Sequence, residues 1–327
     1  MNSDYYLNLT MNVDGMDIPY PITHNLNFIL DNPNLFFKLL ESKLSKVSSE
    51  NPNLKNLIIR HTHEVFNLEK LKEVVDLYGD LLIKTINKFN FNKVIFLDNN
   101  LVDFRLKVGI FHQGYPFFLG MTQMHALKPK RDKFQKNFIC FNQRETAHRK
   151  DIIKFLYNSN ISSKTILTHG FEVNDIDEKE IDLNPPEDSM HAYNWVRHSY
   201  KPLKFNYISF CNIVTETLFY EKEIKFITEK TERCFSACQP FIVVAPAGHL
   251  ELLKNYGYKT FDRWWDESYD REEDGEKRLL KIKKIIKHIS TFSNEDMMRI
   301  HKEMHPILIH NNSINKNWFL KNINYGI

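Results

Sequence analysis

Apolar and polar positions along this chain alternate between a short and a long period. The apolar runs Leu57-Ile58-Ile59 and Val94-Ile95-Phe96-Leu97 each give way to polar residues, His61-Thr62-His63-Glu64 and Asp98-Asn99-Asn100. Between them Leu68, Leu71, Val75, Tyr78, Leu82, Ile86 and Phe89 recur at helical spacing, which predicts a strand, helix, strand unit. The same alternation returns later. Phe138-Ile139-Cys140-Phe141 reads as a buried strand, Thr146 to Tyr157 as a helix with Ile152, Ile153 and Leu156 inward, and Ile166-Leu167-Thr168, Phe205 to Phe210 and Phe241 to Ala245 as further strands. A turn at Pro246-Ala247-Gly248 opens a helix that Gly257 closes, a position suited to glycine. Residues 276 to 289 read as a basic amphipathic helix, and the tail from Asn294 is helical. Strands alternating with helices predict an α/β fold of parallel sheets covered on both faces.

The segment Lys128 to Lys136 is polar, basic and interrupted by Pro129, the composition of a linker. A boundary near residue 132 follows, giving domains at 1–131 and 132–293 and a helical tail at 294–327.

Composition narrows the picture moderately. The 327 residues are 42% hydrophobic and 13% aromatic, enough for two cores, and the net charge of +3 is too mild to announce nucleic-acid binding. Cys140, Cys211, Cys234 and Cys238 form no C-x-x-C pair, which fits a reduced, cytoplasmic setting. No run approaches the roughly 20 apolar residues of a membrane span, and Met1 to Tyr6 lacks a basic segment leading into an apolar one. Abundant Asn, Lys, Ile and Phe with little Gly suggest an AT-rich genome such as that of a phage.

The strongest chemical signal is Ile227-Thr228-Glu229-Lys230. Thr228 suits a helix N-cap, Glu229 falls in the first turn where the helix dipole favours an anion, and Lys230 sets a cation beside free backbone N–H groups. A diphosphate fits such a place. Asn142, Arg144 and Arg149 lie where a strand passes into a helix, the sheet edge at which open α/β folds bind ligands. A forked guanidinium there matches two phosphates.

The run Ile-Thr-Glu-Lys, preceded by Glu216 at the end of an apolar stretch and followed by a Pro-headed strand, resembles the donor-binding signature of the alpha-1,3-fucosyltransferases and related GT-B glycosyltransferases. The resemblance spans about residues 136 to 270. It implies two Rossmann-like domains facing across a cleft, a tail at 294–327 that crosses back to the first domain, a nucleotide sugar as co-substrate and no further cofactor. By the same resemblance Glu229 holds the ribose, Lys230 the pyrophosphate, and Arg144 or Arg149 the donor diphosphate, with Asn142, Glu216 and Thr228 completing the donor site. The family pattern carries an aromatic residue and an Asn near the upstream Glu, where this chain has Thr215-Glu216-Thr217 and then Tyr220. Trp264 and Trp265 downstream offer rings to stack on a base or sugar.

An inverting transfer needs a base opposite the departing diphosphate, and the first domain offers Glu64, then Asp98 and His112. The only D-x-D, Asp175-Ile176-Asp177, sits in an acidic run that reads as a solvated loop, so no metal is expected. The absence of G-x-G-x-x-G, P-loop and G-x-S-x-G motifs argues against dinucleotide, ATPase and serine-hydrolase chemistry. The acceptor is expected to be a glycan or a hydroxymethylated base of phage DNA. For DNA, Lys128, Lys130, Arg131, Lys133 and Lys136 would form a cationic rim, and Tyr115, Phe117 and Phe118 would serve as wedges. The alternative is a non-catalytic module that binds a nucleotide or glycan on the same fold.

Overall fold

The computed structural model describes residues 4–8, 10–13, 16–19, 26, 29–50, 56–60, 68–89, 91–98, 101, 103–114, 133–169, 205–222 and 226–324. The chain divides into two compact units, Met1–Phe117 with Ile224–Phe226, and Phe118–Glu223 with Ile227–Ile327. The division falls earlier than the expected boundary at 131/132, and residues 294–327 belong to the second unit.

The first unit carries strands β1 (Asp4–Asn8), β2 (Thr10–Val13) and β3 (Met16–Pro19), helix α1 (Pro33–Glu50), β4 (Asn56–Arg60), helix α2 (Leu68–Asn87), and β5 (Lys93–Asp98), β6 (Phe104–Lys107) and β7 (Ile110–Gly114). Its main sheet has the order β1-β4-β5-β7-β6. The first four strands run parallel, β6 pairs antiparallel with β7, and β2 and β3 form a separate antiparallel pair. Alternation sets the buried face: Leu57 and Ile59 of β4 and Val94 and Phe96 of β5 are all closed off, against Leu71, Val75, Leu82 and Ile86 of α2 and Phe37, Leu40 and Leu44 of α1. The β6–β7 turn requires Gly109, whose φ is 79° and where a Cβ would come within 2.9 Å of Ile83.

In the second unit come β8 (Lys136–Asn142), α3 (Ala147–Asn158), β9 (Thr165–His169), β10 (Ser209–Thr215), α4 (Glu229–Ser236), β11 (Phe241–Val244), α5 (His249–Asn255), α6 (Gly275–Ile289) and α7 (Asn294–Asn324). All four strands are parallel, in the order β11-β10-β8-β9. From β8 the chain steps outward to β9, returns to β10 on the other side of β8, and continues outward to β11. The strand order therefore reverses between β8 and β10, and this is a topological switch point.

Ile152, Ile153 and Leu156 of α3 are fully buried, as their spacing predicts, and Gly257 follows α5 with φ 89°. One strand differs. The stretch predicted as extended from Phe205 to Phe210 is a helical turn over 205–208, and β10 begins only at Ser209. The turn is held by the Ser209 hydroxyl donating to the Phe205 carbonyl at 2.9 Å and by Asn206 Nδ2 donating to Gln239 Oε1 at 2.6 Å. Apolar residues there pack without extended backbone, so composition alone misplaces the strand.

Helix α7 packs on α4 and on the segment after α5 through a row of asparagines. Asn311 exchanges two hydrogen bonds with the Lys259 backbone, at 2.8 and 2.9 Å. Asn312 Nδ2 donates to the carbonyls of Phe235 and Ser236 at the end of α4, at 3.1 and 3.4 Å. Asn315 Nδ2 reaches Glu232 at 2.6 Å and Ser236 Oγ at 2.9 Å, while its Oδ1 accepts from the Tyr258 hydroxyl. Among the described residues no helix is long and apolar enough to cross a membrane.

Candidate functional site

The site is built around Glu216, the residue that follows β10 at the switch point. Its backbone N–H donates to the Val244 carbonyl at 3.0 Å, continuing the β10–β11 ladder by one residue, and its side chain is only 2% exposed. A buried carboxylate must be fully hydrogen-bonded to be tolerated. Here the Thr228 hydroxyl donates to Oε2 and the Thr231 hydroxyl to Oε1, both at 2.6 Å, and the Thr228 N–H points at Oε1 from 3.4 Å. Glu216 thus fastens the first turn of α4 to the end of β10.

Thr228 is the N-cap of α4, as predicted. Its Oγ1 accepts from the Lys230 N–H at 3.2 Å and from Lys230 Nζ at 3.3 Å while donating to Glu216, so the hydroxyl's donor and both lone pairs are used. Lys230 Nζ also donates to Thr217 Oγ1 at 3.2 Å and stands 3.6 Å from Glu229 and 4.0 Å from Glu216. Burial pushes the Glu229 carboxyl up, but Lys230 and Arg233 outweigh it and hold it below the usual carboxylate range. Glu229 and Lys230 keep 18% and 25% of their side-chain surface, so both still face solvent.

From the other side of the switch point the first turn of α3 reaches the same residue. Arg149 is buried, its Nη2 donating to the carbonyls of Thr215 at 3.3 Å and Glu216 at 3.1 Å and its Nη1 to the Arg144 carbonyl at 3.2 Å. His148 Nε2 lies 3.0 Å from the Glu216 carbonyl. That oxygen only accepts, so Nε2 carries the proton, and Nδ1 faces the Thr146 hydroxyl at 3.3 Å. Burial lowers the His148 pKa to about 4. The ring stacks on Phe219 at 5.1 Å, and Phe219 is covered on its own account by the Arg278 guanidinium at 4.3 Å. Asn142 ties the two strand ends together by accepting from the Thr215 hydroxyl at 2.6 Å.

On the far flank, the turn after β11 carries Gly248, with φ 80°, and His249. Asp270 closes this turn: its carboxylate accepts from the N–H groups of Leu250 and Glu251 at 2.8 and 3.1 Å, and its carbonyl from Gly248 N–H at 2.7 Å. His249 is 5% exposed, and its Nε2 has no partner. Arg149 Nε is likewise buried and unpartnered. An unmade hydrogen bond of this kind costs about 1–3 kcal/mol.

The structure therefore brings Asn142, Arg149, Glu216, Thr228, Glu229 and Lys230 to one edge of one sheet, with the Arg144 backbone joined to them through Arg149. They differ in employment. Asn142, Arg149, Glu216 and Thr228 are buried and bonded to protein, while Arg144 is exposed on the loop. Of the tryptophans, Trp265 is core, packed 5.3 Å from Phe261, and Trp264 donates to Glu303 beneath the Arg263 guanidinium. Lys136 donates to the Ser163 carbonyl at 2.6 Å, and Lys133 is exposed.

In the first unit, Asp98 ends β5 opposite Gly114, and His112 on β7 is opposite Phe96. Asp98 is thus at the carboxyl end of its strand and His112 at the middle of the adjacent parallel one. Glu64, Tyr115, Phe117, Phe118, Lys128, Lys130, Arg131, Asp175 and Asp177 lie outside the described residues. Among the described residues no group of three or more His, Cys, Asp or Glu is placed to hold a metal ion.

Sequence reasoning assigns no role to His148, Thr231, His249 or Asp270. Only the Thr-x-x-Thr spacing of Thr228 and Thr231, one helical turn apart, could have pointed to a shared acceptor. No protein family, curated protein or solved structure matches the chain.

Proposed function

We propose that the second unit binds a nucleoside diphosphate sugar at its switch point and that the chain is a GT-B glycosyltransferase. The observation that carries this reading is the convergence on Glu216 of Arg149 at the start of α3 and of the lysine-bearing start of α4. These segments are far apart in sequence and meet where open parallel sheets bind ligands. In this reading Arg144, Glu229 and Lys230 contact the donor, and Asn142, Arg149, Glu216 and Thr228 form the frame that aims them.

Lys230 and the N-terminal N–H groups of α4 would stabilise the leaving diphosphate without a metal, and Glu229 would accept from the ribose diol. Glu64, Asp98 and His112 remain the candidate bases for an inverting attack by an acceptor hydroxyl, which a glycan or a hydroxymethylated DNA base supplies equally well. The proposal is tested by thermal-shift screening with UDP, GDP, ADP and dTDP and their glycosyl conjugates. Ligand at 100 times its dissociation constant should stabilise the protein by about 2.7 kcal/mol. Slow hydrolysis of an isotope-labelled donor then separates a transferase from a module that binds without turnover. No stabilisation by any diphosphate rejects the reading.

A further inference from the structure

We propose that His249 is a ligand-contacting residue of this site, its Nε2 hydrogen-bonding a sugar hydroxyl of the bound nucleotide sugar. The inference rests on the proposed function and deepens it.

Position comes first. Glu216 N–H is bonded to the Val244 carbonyl, so the ends of β10 and β11 enter the site side by side, and His249 opens α5 directly after the turn that follows β11. The carboxylates of Glu216 and Asp270 both act on its imidazole. Both are already committed, Glu216 to Thr228 and Thr231 and Asp270 to Leu250 and Glu251.

Buried side-chain atoms without a partner occur also at Arg233, Trp265, Glu267 and Arg278, but two belong to the segments that meet around Glu216. On one flank of Glu216 lies Arg149 Nε and on the other His249 Nε2, both buried without a partner. Native interiors seldom leave such groups unpaired, and a ligand that supplies the partner removes the penalty. The chemistry of the ring selects the kind of partner. Burial lowers the His249 pKa, outweighing the two carboxylates, and a neutral imidazole can donate to or accept from a hydroxyl. A diphosphate would call for a cation, which Lys230 already provides.

The test is calorimetric titration of wild type and His249→Ala with UDP, GDP, ADP, their 2′-deoxy forms and their glycosyl conjugates, beside melting curves. His249→Ala is expected to fold and to bind the preferred nucleotide sugar about threefold to tenfold more weakly. A loss confined to glycosylated ligands assigns the hydroxyl to the transferred sugar; one that persists with the bare ribonucleotide and vanishes with its 2′-deoxy form assigns it to the ribose. Equal affinity of wild type and variant for every ligand overturns the role of His249, and the donor site still stands if Lys230→Ala weakens binding. Wild type that binds none of them overturns both. If the alanine variant does not fold, the imidazole nitrogen resonances of His249 in wild type decide. A shift of Nε2 on adding the nucleotide sugar supports the contact, and an unchanged signal overturns it.

Discussion

Arg149 meets Glu216 at its backbone: the guanidinium donates to the Glu216 carbonyl at 3.1 Å, while the Glu216 carboxylate accepts from the hydroxyls of Thr228 and Thr231. One residue thereby anchors both walls of the candidate site. Its main chain secures Arg149 at the start of α3 and its side chain secures α4.

Replacing Glu216 by Ala should consequently be among the most destabilising changes in the second unit. Two buried hydroxyls and one N–H lose their acceptor, for an expected loss of about 2–4 kcal/mol. Glu216→Gln, whose amide can still take part if the threonine hydroxyls turn, should lose about 1 kcal/mol. Urea midpoints at unchanged slope measure the difference.

Lys230→Ala should behave in the opposite way. The ammonium is partly exposed, its neighbours Thr217 and Thr228 keep other partners or solvent, and the expected stability change is under about 1 kcal/mol. Binding of a nucleoside diphosphate should weaken by about 1.5–3 kcal/mol, the worth of a charge-assisted hydrogen bond. A variant that binds as tightly as wild type removes Lys230 from the donor site.

Stability should fall in mild acid partly through His148. Its folded pKa is lowered to about 4, below the roughly 6.5 of an unfolded imidazole, so between these values the unfolded chain binds a proton that the folded chain refuses. The contribution is fully present above about pH 6.5 and is lost as pH falls through this window, at most about 3 kcal/mol in total. His249, lowered by burial as well, acts in the same direction. Unfolding free energies from pH 7 to 4 should decline less steeply in His148→Gln than in wild type. An equal slope would show that the ring does not titrate in this way.

Asp270→Ala should loosen the β11–α5 turn by removing the acceptor of two backbone N–H groups, at about 1–2 kcal/mol. Hydrogen exchange at Leu250 and Glu251 should accelerate relative to the amides of β11. Protection unchanged at both sites would mean that the cap is dispensable.

Much of this was legible from periodicity and capping chemistry. Leu68 to Ile86 announced α2, Ile152, Ile153 and Leu156 oriented α3, and Thr228 marked the start of α4 correctly because an N-cap is a local device. β10 was placed wrongly because a strand buried on both faces shows no alternation, and Phe205 to Ile208 is as apolar as the strand it precedes. The β6–β7 hairpin, with Val108-Gly109 at its turn, went unread for lack of a longer apolar run beside it. Asn142, Arg149 and Glu216 are named by the sequence and meet at one sheet edge, but their engagement with backbone and hydroxyl partners depends on which strand ends become neighbours. His249 and Asp270 gave no signal at all, since nothing local distinguishes a capping carboxylate twenty residues downstream of the turn it closes.

Helix α4 has eight residues, too few to hold its shape unaided. Its first turn hangs from Glu216, and its last carbonyls are gripped by Asn312, with Asn315 bonded to Glu232 and Ser236 just before them. The aim of Lys230 is thus set partly from α7, by residues some eighty positions downstream of it. A protease cut or a stop codon ahead of Asn311 would spare every residue of the candidate site yet leave Lys230 on a helix tethered at one end only.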